Sequence, residues 1–174
     1  MKKLSFIILI ALSVKLNAQI GTVFPEVSGQ TLDDKYIGLP IKNKKKTIVG
    51  MVYGRAAEDD LKKWLNPLYQ TFMIKPEKNN FDMAAIYDVN FVFVPVIAGL
   101  KSVIADFKKG TDKEFWPYIM DMQSKDMQSI EKTLKAADRK TAYIYVLDPN
   151  GKIIEMVSGA YTEDKMDKLE TACE

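Results

Sequence analysis

Ala142-Tyr-Ile-Tyr-Val-Leu-Asp-Pro-Asn-Gly-Lys-Ile-Ile-Glu-Met-Val-Ser158 reads as two strands joined by a tight turn. Ala142 to Leu147 is aromatic and β-branched, the composition that suits a pleated surface. Asp148-Pro149-Asn150-Gly151 follows. Proline presets φ at the second place of the turn and glycine supplies a positive φ at its end. Lys152 to Ser158 then returns as the second strand. Beyond it, Gly159-Ala160-Tyr161 leads to Thr162, with Glu163 and Asp164 in the first turn of a closing helix whose apolar face is Met166, Leu169 and Ala172.

Working back toward the start, Thr47 to Tyr53 is an unbroken apolar run of strand length, the mark of a central strand covered on both faces. Gly54 ends it. Ala57-Glu58-Asp59-Asp60 opens a helix, with acids where the macrodipole favours them. Leu61, Trp64, Leu65, Leu68 and Phe72 recur at helical spacing, and Pro67 inside that pattern is expected to kink it. Met83 to Val89 is a second strand candidate. Phe91 to Ala98, holding Pro95, reads as a buried loop entering a helix marked by Ile97, Leu100, Ile104 and Phe107. Phe115, Trp116, Tyr118, Ile119 and Met122 read as a further helical piece, and Met127, Ile130 and Leu134 as another. The stretch of about 90–135 is thus expected to be a helical insertion. Residues 19–46 form an N-terminal extension of short extended pieces ending in Lys42, Lys44, Lys45 and Lys46, a solvated turn in preference to an anion-binding patch.

The first 18 residues have another character. Met1-Lys2-Lys3 is followed by the apolar run Leu4 to Val14, 11 positions long, and by Leu16-Asn17-Ala18. A basic start, a short apolar core and a small residue at the break describe a signal peptide cleaved after Ala18. The run falls short of the roughly 20 residues a membrane span needs. Its removal from the 174-residue chain would take Lys2, Lys3 and Lys15 with it, moving the formal charge from +2 to −1. A near-neutral mature chain has no electrostatic footprint for nucleic acid. The expected location is the bacterial periplasm or the medium, with no transmembrane segment in the mature chain.

The cysteine and histidine counts exclude much chemistry. Cys173 is the sole cysteine and histidine is absent, so no intrachain disulfide, Ser-His-Asp or Cys-His machinery can be built. A metal site would have to use oxygen ligands alone, and no metal, cofactor or catalytic residue is assigned.

The order strand, helix, strand, helices, hairpin, helix resembles an α/β thioredoxin-like fold, with a central mixed sheet flanked by helices over residues 47–174. Tyr145 to Ile154 with Gly159 is similar to the final hairpin of thioredoxin-like redoxins. Thr47 to Leu68 with Pro67 is similar to their active-site strand and helix. Phe24-Pro25 and Leu39-Pro40 resemble the extension of exported thiol-disulfide oxidoreductases and peroxiredoxins. Val52-Tyr-Gly-Arg55 with Trp64 and Pro67, together with Ser158-Gly159-Ala160, resembles the mitochondrial ATP synthase assembly-factor family, a thioredoxin-like group that can lack the dithiol and acts on a partner protein. A mitochondrial setting does not follow, because the leader has a bacterial pattern.

The resemblance implies positions that can be read one at a time. The family's second redox cysteine lies five before the helix proline, here Lys62, and the first falls on Asp59. The family's cis-proline lies six before Asp148, at Ala142. Thiol exchange needs a thiolate, so dithiol oxidoreductase chemistry is unavailable at this site. The expected function is binding or assembly of another envelope protein or peptide. The candidate binding residues, at the place of the missing dithiol and cis-proline, are Arg55, Asp59, Asp60, Lys62, Trp64, Ala142 and Tyr143. The bland alternatives are helix-start acids with Asp59 paired to Lys62 across one turn, and aromatics that belong to the core. A groove lined by Trp64, Phe115, Trp116 and Tyr118 is a further reading. The alternative function is a thiol-dependent, peroxidase-like enzyme using Cys173.

Overall fold

A computed structural model describes residues 19–74, 87–95, 101–135 and 138–174. The hairpin and the closing helix lie where the sequence places them: β6 (Ala142–Leu147), β7 (Ile153–Ser158) and α4 (Glu163–Cys173). The turn is built around Asp148. Its Oδ1 accepts from the backbone N–H groups of Asn150 and Lys152, both at 2.8 Å, and its carbonyl accepts from Gly151 at 2.9 Å. Gly151 sits at φ +82°, and a Cβ there would lie 2.3 Å from the Pro40 ring, so both backbone and packing exclude any other residue.

The remaining elements, in chain order, are β1 (Val27–Thr31), β2 (Tyr36–Leu39), β3 (Lys46–Val52), α1 (Glu58–Phe72), β4 (Val89–Pro95), α2 (Lys101–Lys109), β5 (Met120–Met122) and α3 (Ser124–Leu134). The main sheet has the order β4-β3-β6-β7. β3 and β4 run parallel across the α1 crossover, while β6 and β7 are antiparallel additions. β1 pairs antiparallel with both β2 and β5 in a second, three-stranded sheet.

The period-two geometry of β3 sorts its side chains into two cores. Ile48 and Val52, with Phe93, Ile144 and Val146, pack against Leu61, Trp64 and Leu68 of α1 and Met166 and Leu169 of α4. Val49 and Met51, with Val92 and Tyr145, face the small sheet and the Ile130 and Leu134 side chains of α3. Burial on both faces explains why β3 is continuously apolar. The extension is therefore part of the structure: its β1–β2 hairpin roofs the second core.

Two expectations change. Val89–Pro95 is a strand pairing with β3 along its whole length, where a buried loop was expected. Pro95 is tolerated because β4 is an edge strand and proline is its last residue. Phe115 to Met122 is a 3-10 turn, Lys113–Tyr118, followed by β5, so the supposed helical insertion contains two strands besides α2 and α3. Helix α1 continues past Pro67; five buried apolar side chains along it outweigh one missing hydrogen bond. The other expected strand, Met83 to Val89, lies outside the described residues apart from its last three positions.

Candidate functional site

The end of β3 delivers the chain into the candidate site. After Tyr53 and Gly54 a short 3-10 turn, Arg55–Ala57, passes directly into α1. Glu58, Asp59 and Asp60 occupy the first helical turn, near the positive end of the macrodipole. Arg55, Asp59 and Lys62 are exposed. The ion pair that forms is Asp60 with Lys63 at 3.4 Å, one place along from the expected Asp59–Lys62 pair. Lys62 instead lies over the Phe107 ring, 5.3 Å from its centre, tying the site end of α1 to α2.

Beside Gly54 the residues before β6 form a lip: a Cβ on Gly54 would lie 2.7 Å from the Arg139 carbonyl oxygen. Asp138 organises them, accepting from the Lys140 N–H at 2.8 Å and the Thr141 hydroxyl at 2.6 Å. Those hydrogen bonds, the Thr141 one first, hold its carboxyl below the usual carboxylate range. Arg139 pairs with Glu131 of α3 at 3.1 Å. Sequence reasoning missed this lip, although an Asp three residues before a Thr at a strand entry is a local turn signal.

Trp64, Ala142 and Tyr143 are core residues, the first two on one face of the main sheet and Tyr143 on the other. Trp64 is fully buried, donates from Nε1 to the Gly159 carbonyl at 2.9 Å, and meets Tyr161 edge-on at 5.2 Å. Ala142 is fully buried, paired with Val52 and accepting from the Gly159 N–H at 2.8 Å. Tyr143 is 8% exposed, stacked on Tyr145 and edge-on to Tyr53. Burial raises the pKa of all three phenols. Arg55, Asp59, Asp60 and Lys62 thus follow one another through the 3-10 turn and the start of α1, while Trp64 and Ala142 belong to the core beneath α1 and Tyr143 to the core on the other face of the sheet. Trp116, from the alternative aromatic groove, is half-buried, with Lys108 4.4 Å from its ring centre.

The sulfur lies elsewhere. Cys173, at the end of α4, borders a cleft with Lys44, Lys46, Tyr87 and Pro149. That cleft is at the start of β3 and the β6–β7 turn, the far end of the sheet from Asp59. Burial pushes its thiol from 9.0 up to about 12, against a smaller opposing effect of Lys46. The native chain should consequently react with iodoacetamide at pH 8 at least about tenfold more slowly than the urea-unfolded chain. Equal rates would contradict the burial. The sign of the linked stability follows: the folded state keeps this proton after the unfolded state has lost it, so this contribution is lost as pH rises from 9 toward 12. Among the described residues no group of three His, Cys, Asp or Glu side chains is placed to hold a metal ion, and no helix is long and apolar enough to cross a membrane.

Solved structures with this architecture show a thioredoxin-like fold. The thioredoxin domain of a thiol-disulfide oxidoreductase from Bacteroides vulgatus is 18% identical, with a TM-score of 0.60 over 89% of this chain and 98% of that one. BsSco, a member of the Sco family of cytochrome c oxidase assembly proteins, is 12% identical, with a TM-score of 0.58 over 88% and 92%. Yeast Sco1 is 14% identical, with a TM-score of 0.55 over 86% and 93%. No curated protein sequence matches. The family model described as ATP10 protein matches residues 15–174, and on that span the chain belongs to the ATP10 family.

Proposed function

We propose that this chain is an exported, redox-inactive thioredoxin-like module that binds another protein of the cell envelope and assists its assembly. The observation that carries the reading is the place of the thiol: the sole cysteine is buried at the end of the sheet away from the start of α1, where the spacing from Pro67 puts exposed Asp59 and Lys62 in the places of the family's two redox cysteines. A scaffold with that surface can offer charge, hydrogen bonds and shape, but no thiolate at the usual place. Membership of a family of assembly factors agrees with a protein partner. The partner's contacts on this reading are Arg55, Asp59, Asp60 and Lys62, with Trp64, Ala142 and Tyr143 fixing the backbone that presents them. The leader-like residues 1–18 support export to the periplasm or beyond.

The test is site-directed photocrosslinking in the envelope fraction of cells making the full chain. A crosslinker at Asp59 should join a defined partner that one at Lys152 does not. Combined Arg55→Glu, Asp59→Lys and Lys62→Glu changes should cut that product at least about tenfold, as expected when charges facing a partner are reversed. The melting temperature should fall by no more than a few degrees, the cost of reversing Asp59 at the helix start and losing the Lys62–Phe107 contact. Equal crosslinking from both positions, or insulin reduction by the purified chain at the rate of an intact dithiol oxidoreductase, would overturn the proposal. The thiol-enzyme alternative through Cys173 is opposed by that residue's burial and raised pKa.

A further inference from the structure

The first residue after the leader-like segment is already part of the fold. Gln19 donates from Nε2 to the carbonyl of Leu134, the last residue of α3, whose chain then turns left-handed at Lys135 (φ 46°). Terminal carbonyls of a helix need a donor from outside it, and the Gln19 amide supplies one. The other half of the same amide is unsatisfied: Oε1 is buried with no hydrogen-bond partner among the described residues. The backbone here is fixed as well. The Gln19 carbonyl accepts from Thr22 at 3.1 Å, Gly21 donates to Ile153 at 2.8 Å, and Phe24 donates to Gly151 at 2.8 Å.

From this geometry we propose that Gln19 is a modification site, where the mature chain begins as pyroglutamate. The inference rests on removal of residues 1–18, as in the function proposed above. Cleavage after Ala18 creates a free α-amine on the very residue whose side-chain carboxamide is held half-buried. Attack of that amine on Cδ forms an N–Cδ bond. The Cδ–Nε2 bond breaks, and the nitrogen leaves as ammonia after taking up the proton the amine gives up. No oxidant, reductant or co-substrate is consumed. The product has one N–H and one C=O in a five-membered lactam and carries no charge. An uncyclised terminus would instead set a solvation-demanding ammonium beside the half-buried carboxamide. Cyclisation also closes the chain start to aminopeptidases at the point where it is stitched to β7.

The experiment is intact-mass and N-terminal peptide mass spectrometry of the full chain expressed with its leader and recovered from the periplasm or medium. The expected N-terminal peptide begins at Gln19, is lighter by one ammonia and resists Edman degradation. Gln19→Glu, which cyclises far more slowly, should begin at the same residue with a free amine and should melt at a lower temperature. A peptide beginning at Gln19 with a free amine would overturn the modification while leaving export standing. A peptide that begins elsewhere, or retains residues 1–18, would overturn both.

Discussion

Trp64→Ala should lower the free energy of unfolding by about 3–5 kcal/mol, the range for removing a buried tryptophan. The ring is wholly enclosed between α1 and the sheet. Its loss also strips the Gly159 carbonyl of the Nε1 donor 2.9 Å away and removes the edge contact with Tyr161. An unmet buried carbonyl adds about 1 kcal/mol or more to the cavity cost. Since domains of this size hold about 5–15 kcal/mol in total, the variant should be close to unfolding at 37 °C. Trp64→Phe, which keeps much of the volume but not the donor, should lose about 2 kcal/mol. Urea titration followed by circular dichroism measures both. A loss under about 1 kcal/mol for Trp64→Ala would place the indole at the surface, available to a partner.

Gly29→Ala is the second large effect. In β1 the Gly29 backbone passes so close to β5 that an added Cβ would lie 2.1 Å from the Asp121 carbonyl oxygen and 2.8 Å from the Met120 side chain. The obstacle is backbone, so no rotamer change relieves it. Only three residue pairs join β1 to β5, from Gly29 with Met122 to Thr31 with Met120. A wedge at one end of so short a ladder should separate it, at a cost of about 2–3 kcal/mol, toward the upper end for overpacking. Gly38→Ala is the control: its nearest neighbour would be 3.7 Å away, and its effect should stay within about 0.5 kcal/mol. Faster amide exchange in Met120–Met122 than in β6 would locate the damage in the small sheet. Equal losses from Gly29→Ala and Gly38→Ala would refute the close approach.

The legible parts of this fold are those where local and tertiary preferences agree. Asp148-Pro149-Asn150-Gly151 admits one kind of chain reversal, and β6, β7 and α4 follow from it within a residue. β4 was hidden by Pro95, since a proline at the end of a strand is allowed only at a sheet edge, and the edge is a property of the assembled sheet. β5 was hidden by aromatic spacing. Ile119 falls four after Phe115 and three after Trp116, as on a helix, but Pro117 and a tight 3-10 turn take up that spacing. At the site, the missing dithiol could be read from residue types alone. The lip built on Asp138, the Lys62–Phe107 contact and the depth of Trp64 could not, because each joins segments at least about 45 positions apart or depends on a loop's path, with the Asp138 turn the nearest to local.

The stitching of residues 21–24 along β7 and its turn has a consequence for how the molecule comes into being. The earliest of the described residues share hydrogen bonds with Gly151 and Ile153, which a ribosome makes about 130 positions later. Until that hairpin emerges, the leading segment has no ladder to join, and such distant pairings are slow to close. In a nascent chain the leading segment can therefore take its place only once the β6–β7 hairpin has been made.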